Sequence, residues 1–517
     1  MLLKIDPRSF QVEQQGWDVH ASNGRTIYTS PGLRLSSVAE LADCPGGQAV
    51  EIDPRERTVS FGRDYLGKHP LAYAATGSRL FIGDEVSELT ECVRADGTRL
   101  SVSERALALY FTAGYVPQGM TLYEQVHTCE NVSWYRWRDG KVSQVSLFEP
   151  VEISGKQTIS AVADGIRDEV SRVAGRGERV DIWCSGGLDS SSMAQEFREQ
   201  ELPAELVTLG YGSDVADKFG TGEASYAEQM AAACDYKLRY ADLDGARFRE
   251  LHGTMVAGHI SPVIDNCGLA KYALASLTRD CAVTGEGGDP VFGGVKNDFM
   301  VYNHSRDPGA PLGNLYAIAH KRFFGMLKDL FRRGEQLQDE VRAYFQRRID
   351  RYPGDLVRKL FYLNAIDKQG GMIFPEAYYP AKRFGIKVEH PLTSLQVYRQ
   401  AFRLPDEMRY VYPKGKLALL ELYRDRLPPA IIERKKSGTI VPIQHYVREF
   451  PEKAFDFAPL KSLDVFNEKI FESIGPAALR DTPADQMPYK SALLIYAFVT
   501  LGAWLNATGG QHARLSA

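Results

Sequence analysis

The chain has 517 residues, of which 44% are hydrophobic and 25% charged, and its formal net charge is −4. A chain of this length is too long to fold around a single hydrophobic core, so two or three domains are predicted. The charge balance does not indicate a nucleic-acid or anionic-membrane partner, and no apolar run reaches the length of a membrane-spanning helix. Seven scattered cysteines form no CxxC pair, which argues against a zinc site or a disulfide scaffold and favours a reduced, cytoplasmic protein.

The pattern over residues 1–150 indicates mostly β-structure. Short alternating runs such as "RTVSFGRDYLG" and "VSWYRWRDGKVSQVSLF" are broken by turn signals such as Asp139-Gly140. From about residue 157 amphipathic helical patterns take over, with the short strands "RVDIWCS", "ELVTLGY" and "CAVTGEG" between them. This alternation predicts a doubly wound parallel sheet, and the segments 313–365 and 405–517 are predicted to be largely helical.

The stretch "SGGLDS" lies between an apolar strand and a predicted helix. Gly186 and Gly187 allow the backbone to approach an anion closely, while backbone N–H groups, the helix N-terminus, Ser185 and Ser190 supply donors. No lysine stands in the turn, so it is not a triphosphate loop. Asp189 beside the anion indicates Mg²⁺ held against phosphate oxygens. A tight turn without a ligand is the alternative, which the strand and helix context disfavours.

A second glycine-rich turn, "AVTGEGGDPVFGG" (Ala282–Gly294), also follows a strand and contains Asp289. We expect Asp189 and Asp289 to lie at neighbouring strand ends and to share the metal. The predicted nucleotide-binding set is completed by Leu209, Gly210 and Gly285.

Together the two turns carry a family resemblance. "SGGLDS" is the signature of the pyrophosphate-loop ATP pyrophosphatases, and "TGEGGD" resembles the asparagine synthetase family with its β-lactam, carbapenam and lasso-peptide macrolactam synthetase relatives. The resemblance implies an adenine nucleotide α-hydrolase-like fold over residues 155–517, with ATP and Mg²⁺ as cofactors. It also implies that a carboxylate attacks the α-phosphate of ATP to give acyl-AMP and pyrophosphate, after which an amine displaces AMP.

The segment "YPKGKLALLELYRDRLPPAIIERKKSGTI" (Tyr412–Ile440) resembles the C-terminal segment of the same family. Matched position by position, Lys416 and Lys436 fall on the two family lysines that meet the pyrophosphate and the transition state. Fixed cations there would stabilise the negative charge that develops on both. The alternative is that Lys435 and Lys436 form an ordinary solvated pair.

Glu286 stands where asparagine synthetases carry Glu, whereas the β-lactam and carbapenam synthetases carry Tyr paired with a downstream Glu that takes the proton of the amine. Glu286 is therefore predicted to orient or deprotonate an attacking amine. Glu376, in "MIFPEAYYP", is the candidate second member, one position off the register of the carbapenam relative. A surface carboxylate is the alternative for Glu376.

The stretches "GRDYLGKHPLAY", "FIGDEVSEL" and "YFTAGYVPQGMTLYEQV" resemble pieces of the glutaminase domain of asparagine synthetases. They imply a degenerate Ntn-type sandwich, related to the class II glutamine amidotransferases, over residues 1–150. A working glutaminase needs Cys as its first mature residue, with the α-amino group as base. Here Leu2 stands in that place and the first cysteine is Cys44. We therefore expect no glutamine hydrolysis and an amine nucleophile on the substrate or on a second substrate.

The sequence thus predicts an AMP-forming amide ligase, with lasso-type peptide macrolactam formation as the leading reaction. An amine- or ammonia-using asparagine synthetase-like or β-lactam synthetase-like ligase of a small acid is the alternative. The expected partners are a peptide or small-molecule carboxylate and amine, with a leader peptidase as a further candidate and neither nucleic acid nor membrane. The retained Asp189, Asp289 and Lys436 disfavour a non-catalytic scaffold, and the lack of a basic face disfavours a tRNA-modifying relative.

Overall fold

Two facing β-sheets make up most of the first 150 residues. The computed structural model describes the chain apart from residues 7–8, 78, 152–157, 213–214, 216–223, 266, 306–310, 321, 412–413, 435–440, 481, 510–513 and 516–517. The strands are β1 (Leu2–Ile5), β2 (Val12–Gln15), β3 (Asp18–Ser22), β4 (Arg25–Thr29), β5 (Gln48–Asp53), β6 (Thr58–Arg63), β7 (Ala72–Ala75), β8 (Leu80–Gly83), β9 (Ser101–Val102), β10 (His127–Thr128), β11 (Ser133–Arg138) and β12 (Lys141–Ser146). Along the chain, these strands are interrupted by the 3-10 helix Val38–Ala42 and by two α-helices, Val86–Ala95 and Glu104–Ala113.

The two sheets pack through their apolar faces. One has the order β10-β7-β8-β1-β2 and the other β12-β11-β6-β5-β4-β3. Leu3 and Ile82 of the first sheet share one buried cluster with Val50 and Phe61 of the second. The alternation expected of a strand is clear in β11, where every second residue is buried. The predicted β-rich sandwich is therefore present, while its assignment to the Ntn class stays a prediction.

A five-stranded sheet forms the centre of the second part. Its strands are β13 (Val180–Trp183), β14 (Glu205–Gly210), β15 (Leu238–Asp242), β16 (Cys281–Thr284) and β17 (Lys387–Glu389). They are hydrogen-bonded in the order β15-β14-β13-β16-β17, and every neighbouring pair is parallel. The strand order reverses between β13 and β16, and such a switch point is where open parallel sheets bind ligands, outside the carboxyl ends of their strands.

Helices surround this sheet and fill the rest of the chain. The α-helices are Ile159–Ala174, Leu188–Glu199, Ala224–Cys234, Gly245–Gly258, Cys267–Leu277, Gly288–Phe292, Lys296–His304, Leu312–Ala319, Leu327–Leu330, Gly334–Asp350, Leu356–Tyr362, Phe374–Phe384, Leu395–Arg403, Asp406–Arg409, Leu417–Tyr423, Pro429–Ile432, Ile443–Tyr446, Ala458–Lys461, Lys469–Ser473, Pro476–Arg480 and Tyr489–Ala507. A π-helix spans Leu363–Ile373, and 3-10 helices span Phe324–Met326, Pro391–Thr393, Val447–Glu449 and Glu452–Phe455.

The predicted helical segment 313–365 is confirmed, whereas the described residues of 405–517 form mostly one-turn helices apart from Leu417–Tyr423 and Tyr489–Ala507. Two strand pairings are also present. The strands β18 (Tyr410–Val411) and β19 (Lys414–Gly415) form an antiparallel pair just before Lys416. The strand β20 (Arg514–Leu515) pairs with β9 of the first part.

The expectation that no apolar run reaches the length of a membrane-spanning helix is wrong by length and composition, because the helix Tyr489–Ala507 is long and apolar enough to cross a membrane. Its most apolar window is 72% buried inside the protein. Trp504 donates its indole N–H to the carbonyl of His259 at 3.0 Å, and Tyr110 of the first part donates to the carbonyl of Ala497 at 2.9 Å. The helix therefore packs as a core element that joins the two parts of the chain.

Candidate active site

The "SGGLDS" turn connects β13 to the helix Leu188–Glu199. Gly186 has a φ of +68°, and a Cβ there would lie 2.2 Å from the Cβ of Tyr226, so this position requires glycine. The hydroxyl of Ser190 accepts a hydrogen bond from the Ser185 N–H at 3.2 Å and donates to the Gly187 carbonyl at 3.2 Å. Ser190 therefore fixes the shape of the turn at the helix N-terminus, the position suited to an anion.

The "TGEGGD" turn packs directly against the first one. A Cβ on Gly285 would lie 2.5 Å from the carbonyl carbon of Asp189, and one on Gly288 would lie 2.6 Å from its carboxylate. Trp183 and Thr284, the last residues of the adjacent strands β13 and β16, are paired in register. The glycines of the second turn thus leave the space that Asp189 occupies.

Lys416 joins the two turns. Its Nζ forms ion pairs with Oδ2 of Asp189 and Oδ1 of Asp289. Its backbone N–H donates to the carbonyl of Phe292 at 2.9 Å, and the residue is only 8% exposed. Burial alone would lower the pKa of Lys416, but the two carboxylates raise it above its ordinary value, so the side chain is an ammonium ion.

The carboxylates of Asp189 and Asp289 fit a divalent cation, because both already converge on one cationic atom. Within the part of the chain that the structure describes, no third His, Cys, Asp or Glu gathers with them. A pair of carboxylates completed by phosphate oxygens and water is the usual environment of Mg²⁺ beside a nucleotide. The predicted metal ligands are therefore brought together, and their role stays a prediction.

A cavity of about 1630 Å³ opens above these strand ends. Of the predicted binding and catalytic residues, its walls include Ser185, Gly187, Asp189, Ser190, Leu209, Gly285, Glu286, Asp289, Glu376 and Lys416. Gly186 and Gly210 are not among the described wall residues. A Cβ on Gly186 would meet Tyr226 and a Cβ on Gly210 would meet the carboxylate of Asp242, each at 2.2 Å. Lys435 and Lys436 lie outside the described residues. Arg434, just before them, donates to the Ser185 carbonyl at 3.0 Å, so the chain reaches the strand ends at Arg434.

The structure also brings Glu286 and Glu376 to one lysine that sequence reasoning missed. Nζ of Lys271 lies 3.1 Å from Oε1 of Glu286 and 3.0 Å from Oε2 of Glu376. Glu376 is almost completely buried, so its alternative interpretation as a surface carboxylate is wrong. Lys271 lies in the apolar helix "CGLAKYALASL", and a lysine in such a run is the signal that could have drawn attention to it.

His390 is a further functional candidate that the sequence does not single out. Its Nδ1 lies 2.8 Å from Oγ1 of Thr284, and that oxygen accepts the N–H of Glu286 at 3.2 Å. Burial lowers the pKa of His390 well below its usual range, so the ring is neutral and supports the second turn from behind.

Comparison with known proteins agrees with this geometry. The family model described as asparagine synthase matches residues 161–506. The chain belongs to the asparagine synthase family. A second model, described as a glutamine amidotransferase domain, matches residues 38–148.

Curated relatives of the chain are named as asparagine synthetases. One from Bacillus subtilis, "Asparagine synthetase [glutamine-hydrolyzing] 1", is 22% identical over 425 residues, which cover 75% of this chain and 66% of the relative. One from Mycobacterium tuberculosis, "Putative asparagine synthetase [glutamine-hydrolyzing]", is 23% identical over 443 residues, which cover 77% of this chain and 67% of the relative. One from Methanocaldococcus jannaschii is 22% identical over 271 residues, covering 48% and 50%. The chain thus spans from half to about two thirds of the length of these relatives.

Proposed function

We propose that this member of the asparagine synthase family is an ATP-dependent, AMP-forming amide ligase that works without glutamine hydrolysis. The observation that carries the proposal is the Asp189–Lys416–Asp289 bridge, which lies at the switch point of the parallel sheet and in the wall of a large cavity. It joins two carboxylates suited to a nucleotide-bound metal to a cation suited to the leaving pyrophosphate.

Each group then has a distinct task. The "SGGLDS" turn holds the phosphates of ATP against backbone N–H groups. Mg²⁺ bound by Asp189 and Asp289 would offset the charge of the phosphates. Lys416, released from the two carboxylates, is placed to stabilise the pyrophosphate as the substrate carboxylate attacks the α-phosphate. Lys436 is the second predicted cation, and Glu286 receives a proton from the amine that displaces AMP.

The cysteines of the first 150 residues support an amine source other than glutamine. Burial raises the pKa of the Cys44 thiol to about 11, and it raises the pKa values of Cys92 and Cys129 as well. Only a thiolate is a good nucleophile, so none of these three thiols is suited to attack glutamine. The amine therefore comes from the substrate itself or from a second substrate.

For the acyl substrate we favour a peptide that the enzyme closes into a macrolactam of the lasso type, in the cytoplasm and beside a leader peptidase. The supporting observation is the cavity, whose roughly 1630 Å³ exceeds the 300–1,000 Å³ of an ordinary small-molecule site. Beyond the nucleotide turns its wall includes the apolar side chains Phe299, Met372, Ile373 and Met408, together with charged residues such as Lys296 and Arg424. The second candidate is a ligase of a small acid, of the asparagine synthetase or β-lactam synthetase kind, which the retained Glu286 favours.

The test is ATP–pyrophosphate exchange with a panel of amino acids and of linear peptides that carry Asp or Glu side chains. We expect exchange with peptides to exceed exchange with free aspartate, and turnover to give AMP and pyrophosphate. Stoichiometric ADP and phosphate would contradict the ligase assignment, and exchange with free aspartate alone would favour the small-acid alternative.

A second assay addresses the source of the amine. Glutamine labelled with ¹⁵N in its side-chain amide is supplied with ATP and the active acid, and ammonium chloride serves as the control. We expect neither glutamate release nor ¹⁵N in the product. Glutamate formed at the rate of amide formation would show a working glutaminase.

A further inference from the structure

The ammonium group of Lys271 sits between two carboxylates in the wall of the same cavity, apart from the Lys416 bridge. It contacts Glu286 at 3.1 Å and Glu376 at 3.0 Å, and its Nζ also lies 3.5 Å from the carbonyl oxygen of Ile373. The carboxylates of Glu286 and Glu376 more than offset the effect of burial and raise the pKa of Lys271, so the lysine is charged. The three side chains form one connected unit.

The two carboxylates differ in their access to the cavity. The Glu286 side chain keeps 30% of its surface exposed, whereas that of Glu376 keeps 2%. The second carboxylate oxygen of Glu376, Oε1, is buried without a hydrogen-bond partner among the described residues. A substrate amine can therefore reach Glu286 directly but would meet Glu376 only behind Lys271.

The main chain of Glu286 is already fixed. Its N–H donates to Oγ1 of Thr284 at 3.2 Å, and its carbonyl accepts from Oγ1 of Thr393 at 3.4 Å. What these contacts leave free is the rotation of the side chain. The ion pair with Lys271 removes that freedom.

The other end of the unit is fixed by the N-terminal sandwich. Glu376 lies on the helix Phe374–Phe384, whose Tyr378 and Lys382 contact Oδ2 of Asp84 at 2.7 and 2.9 Å. Tyr379 of the same helix donates to the Asp84 carbonyl at 2.8 Å. The sandwich domain thus holds the helix that carries Glu376, which gives it a structural use without glutamine hydrolysis.

Resting on the proposed ligase activity, we propose that Lys271 and Glu376 are positioning residues that hold the Glu286 carboxylate at the cavity wall, and that Glu286 alone meets the amine. The amine, once it has attacked the acyl carbon, passes its proton to Glu286 as the bond to AMP breaks. Glu376 acts through Lys271 and does not touch the substrate.

The protonation of the unit fits this division. Burial raises the pKa of Glu376 to about 8, although the nearby Lys271 ammonium opposes the rise. The buried carboxyl group of Glu376 therefore ionises less readily than an ordinary glutamate, which leaves more of the Lys271 charge to pair with Glu286. The other titratable groups with an electrostatic effect on this unit are Asp265, Cys267, His259, His390 and Tyr496.

The first test compares Glu286→Gln with Glu376→Gln in single-turnover amide formation. The acid is the one that gives the strongest pyrophosphate exchange, with ammonium chloride as the amine if that acid carries none. Glu286→Gln removes the proposed general base and should slow amide formation by more than about 100-fold, within the range for general-base catalysis. Glu376→Gln should slow amide formation less than about tenfold, because the glutamine side chain also accepts a hydrogen bond from Lys271. Equal, large losses in both variants would overturn the inference.

The second test changes the cation. Lys271→Met removes the cation beside the Glu286 carboxylate and should move the acid limb of the pH–rate profile to higher pH. Lys271→Arg keeps the charge and should restore the limb. If Lys271→Met unfolds, the double variant Lys271→Met/Glu376→Gln removes the buried charge and should fold while keeping the shifted limb. An unmoved limb in whichever variant folds would overturn the inference.

Pyrophosphate exchange distinguishes a failure of the proposed ligase function from a failure of the roles given to Lys271 and Glu376. Absence of exchange in the wild type with every acid would contradict the proposed function itself. Normal exchange together with an unmoved acid limb, or with a large loss in Glu376→Gln, would contradict only the roles given to Lys271 and Glu376.

Discussion

Asp189 and Asp289 reach the same lysine ammonium, although each follows a different strand of the parallel sheet. Asp189 lies in the first turn of the helix after β13, and Asp289 lies in the first turn of the helix after β16. Because β13 and β16 are adjacent and parallel, their carboxyl ends bring the two side chains to one point. Removing either carboxylate should therefore leave the sheet intact and remove half of a cation site.

We expect Asp189→Asn and Asp289→Asn each to lower pyrophosphate exchange by more than about 100-fold, the upper end of the loss caused by removing an outer-shell partner of a metal. Thermal unfolding should show that both variants fold. The matched control is Asp280→Asn, at the opposite end of β16, where Asp280 pairs with Arg179 near the surface. Exchange at the wild-type rate in Asp189→Asn or Asp289→Asn would remove that residue from the metal site.

This part of the site could be predicted because its residues follow strands that the sequence marks clearly. β13 and β16 are short apolar runs that end in glycine-rich turns, so the position of Asp189 and Asp289 followed from the parallel sheet. Lys416 came from the family resemblance. The place of Lys271 could not be predicted, since its contact with Glu286 and Glu376 depends on how three separate elements pack.

The edge strands β15 and β17 could not be predicted from the sequence either. β15 ("LRYAD") and β17 ("KVE") lie at the two edges of the sheet and carry polar residues. Their sequences lack the apolar run that identifies a strand buried on both faces. β17 is also far along the chain from β16, and only the tertiary fold brings the two strands together.

Lys436 offers a prediction that rests on the sequence alone, because residues 435–440 lie outside the described part of the chain. A cation that meets charge present mainly in the transition state should affect rate more than ATP affinity. We expect Lys436→Ala to slow single-turnover amide formation by roughly a hundredfold to a thousandfold, the loss typical of one charge-stabilising donor. Lys435→Ala is the control and should lose much less. Equal, mild losses would mean that both lysines are solvated.

A largely buried ion-pair network joins the two parts of the chain, and we expect its loss to have a strong effect on stability. Nη1 of Arg348 lies 2.7 Å from Oε1 of Glu130 in the sandwich domain, and its guanidinium also pairs with Asp367. Arg351 reaches the other oxygen of Glu130 at 2.5 Å. Glu130 would keep Arg351, but Asp367 would lose its guanidinium partner in a largely buried position, so Arg348→Met should lower the free energy of unfolding by about 3–5 kcal/mol.

The same helix supplies the control for this prediction. Arg333, just before the helix Gly334–Asp350, pairs with Glu104 of the sandwich domain at 2.8 Å but is half exposed. Exposed pairs contribute about 0–1 kcal/mol, so Arg333→Met should change stability little. Chemical denaturation of both variants measures the difference. Similar small losses in the two variants would show that the network around Glu130 does not hold the domains together.

Asp298 gives a prediction for the dependence of stability on pH. It is buried on the helix Lys296–His304, and Nδ2 of Asn364 donates to its two oxygens at 2.9 and 3.0 Å. Burial raises the pKa of Asp298 from 3.8 to about 7, and the hydrogen bond from Asn364 opposes this only in part. The folded protein therefore keeps a proton that the unfolded chain releases near pH 4.

The sign of the effect follows from that difference. A raised carboxyl pKa contributes stability that is complete below about pH 4, is lost as the pH rises to about 7, and stays constant above it. A shift of about three pKa units corresponds to about 4 kcal/mol. Asp298→Asn keeps an acceptor for Asn364 but cannot ionise, so the free energy of unfolding of this variant, relative to the wild type, should rise between pH 4 and pH 7 and then level off. Denaturant unfolding at pH 5, 6, 7 and 8 measures it. A difference that is the same at every pH would show that burial does not perturb this carboxyl group.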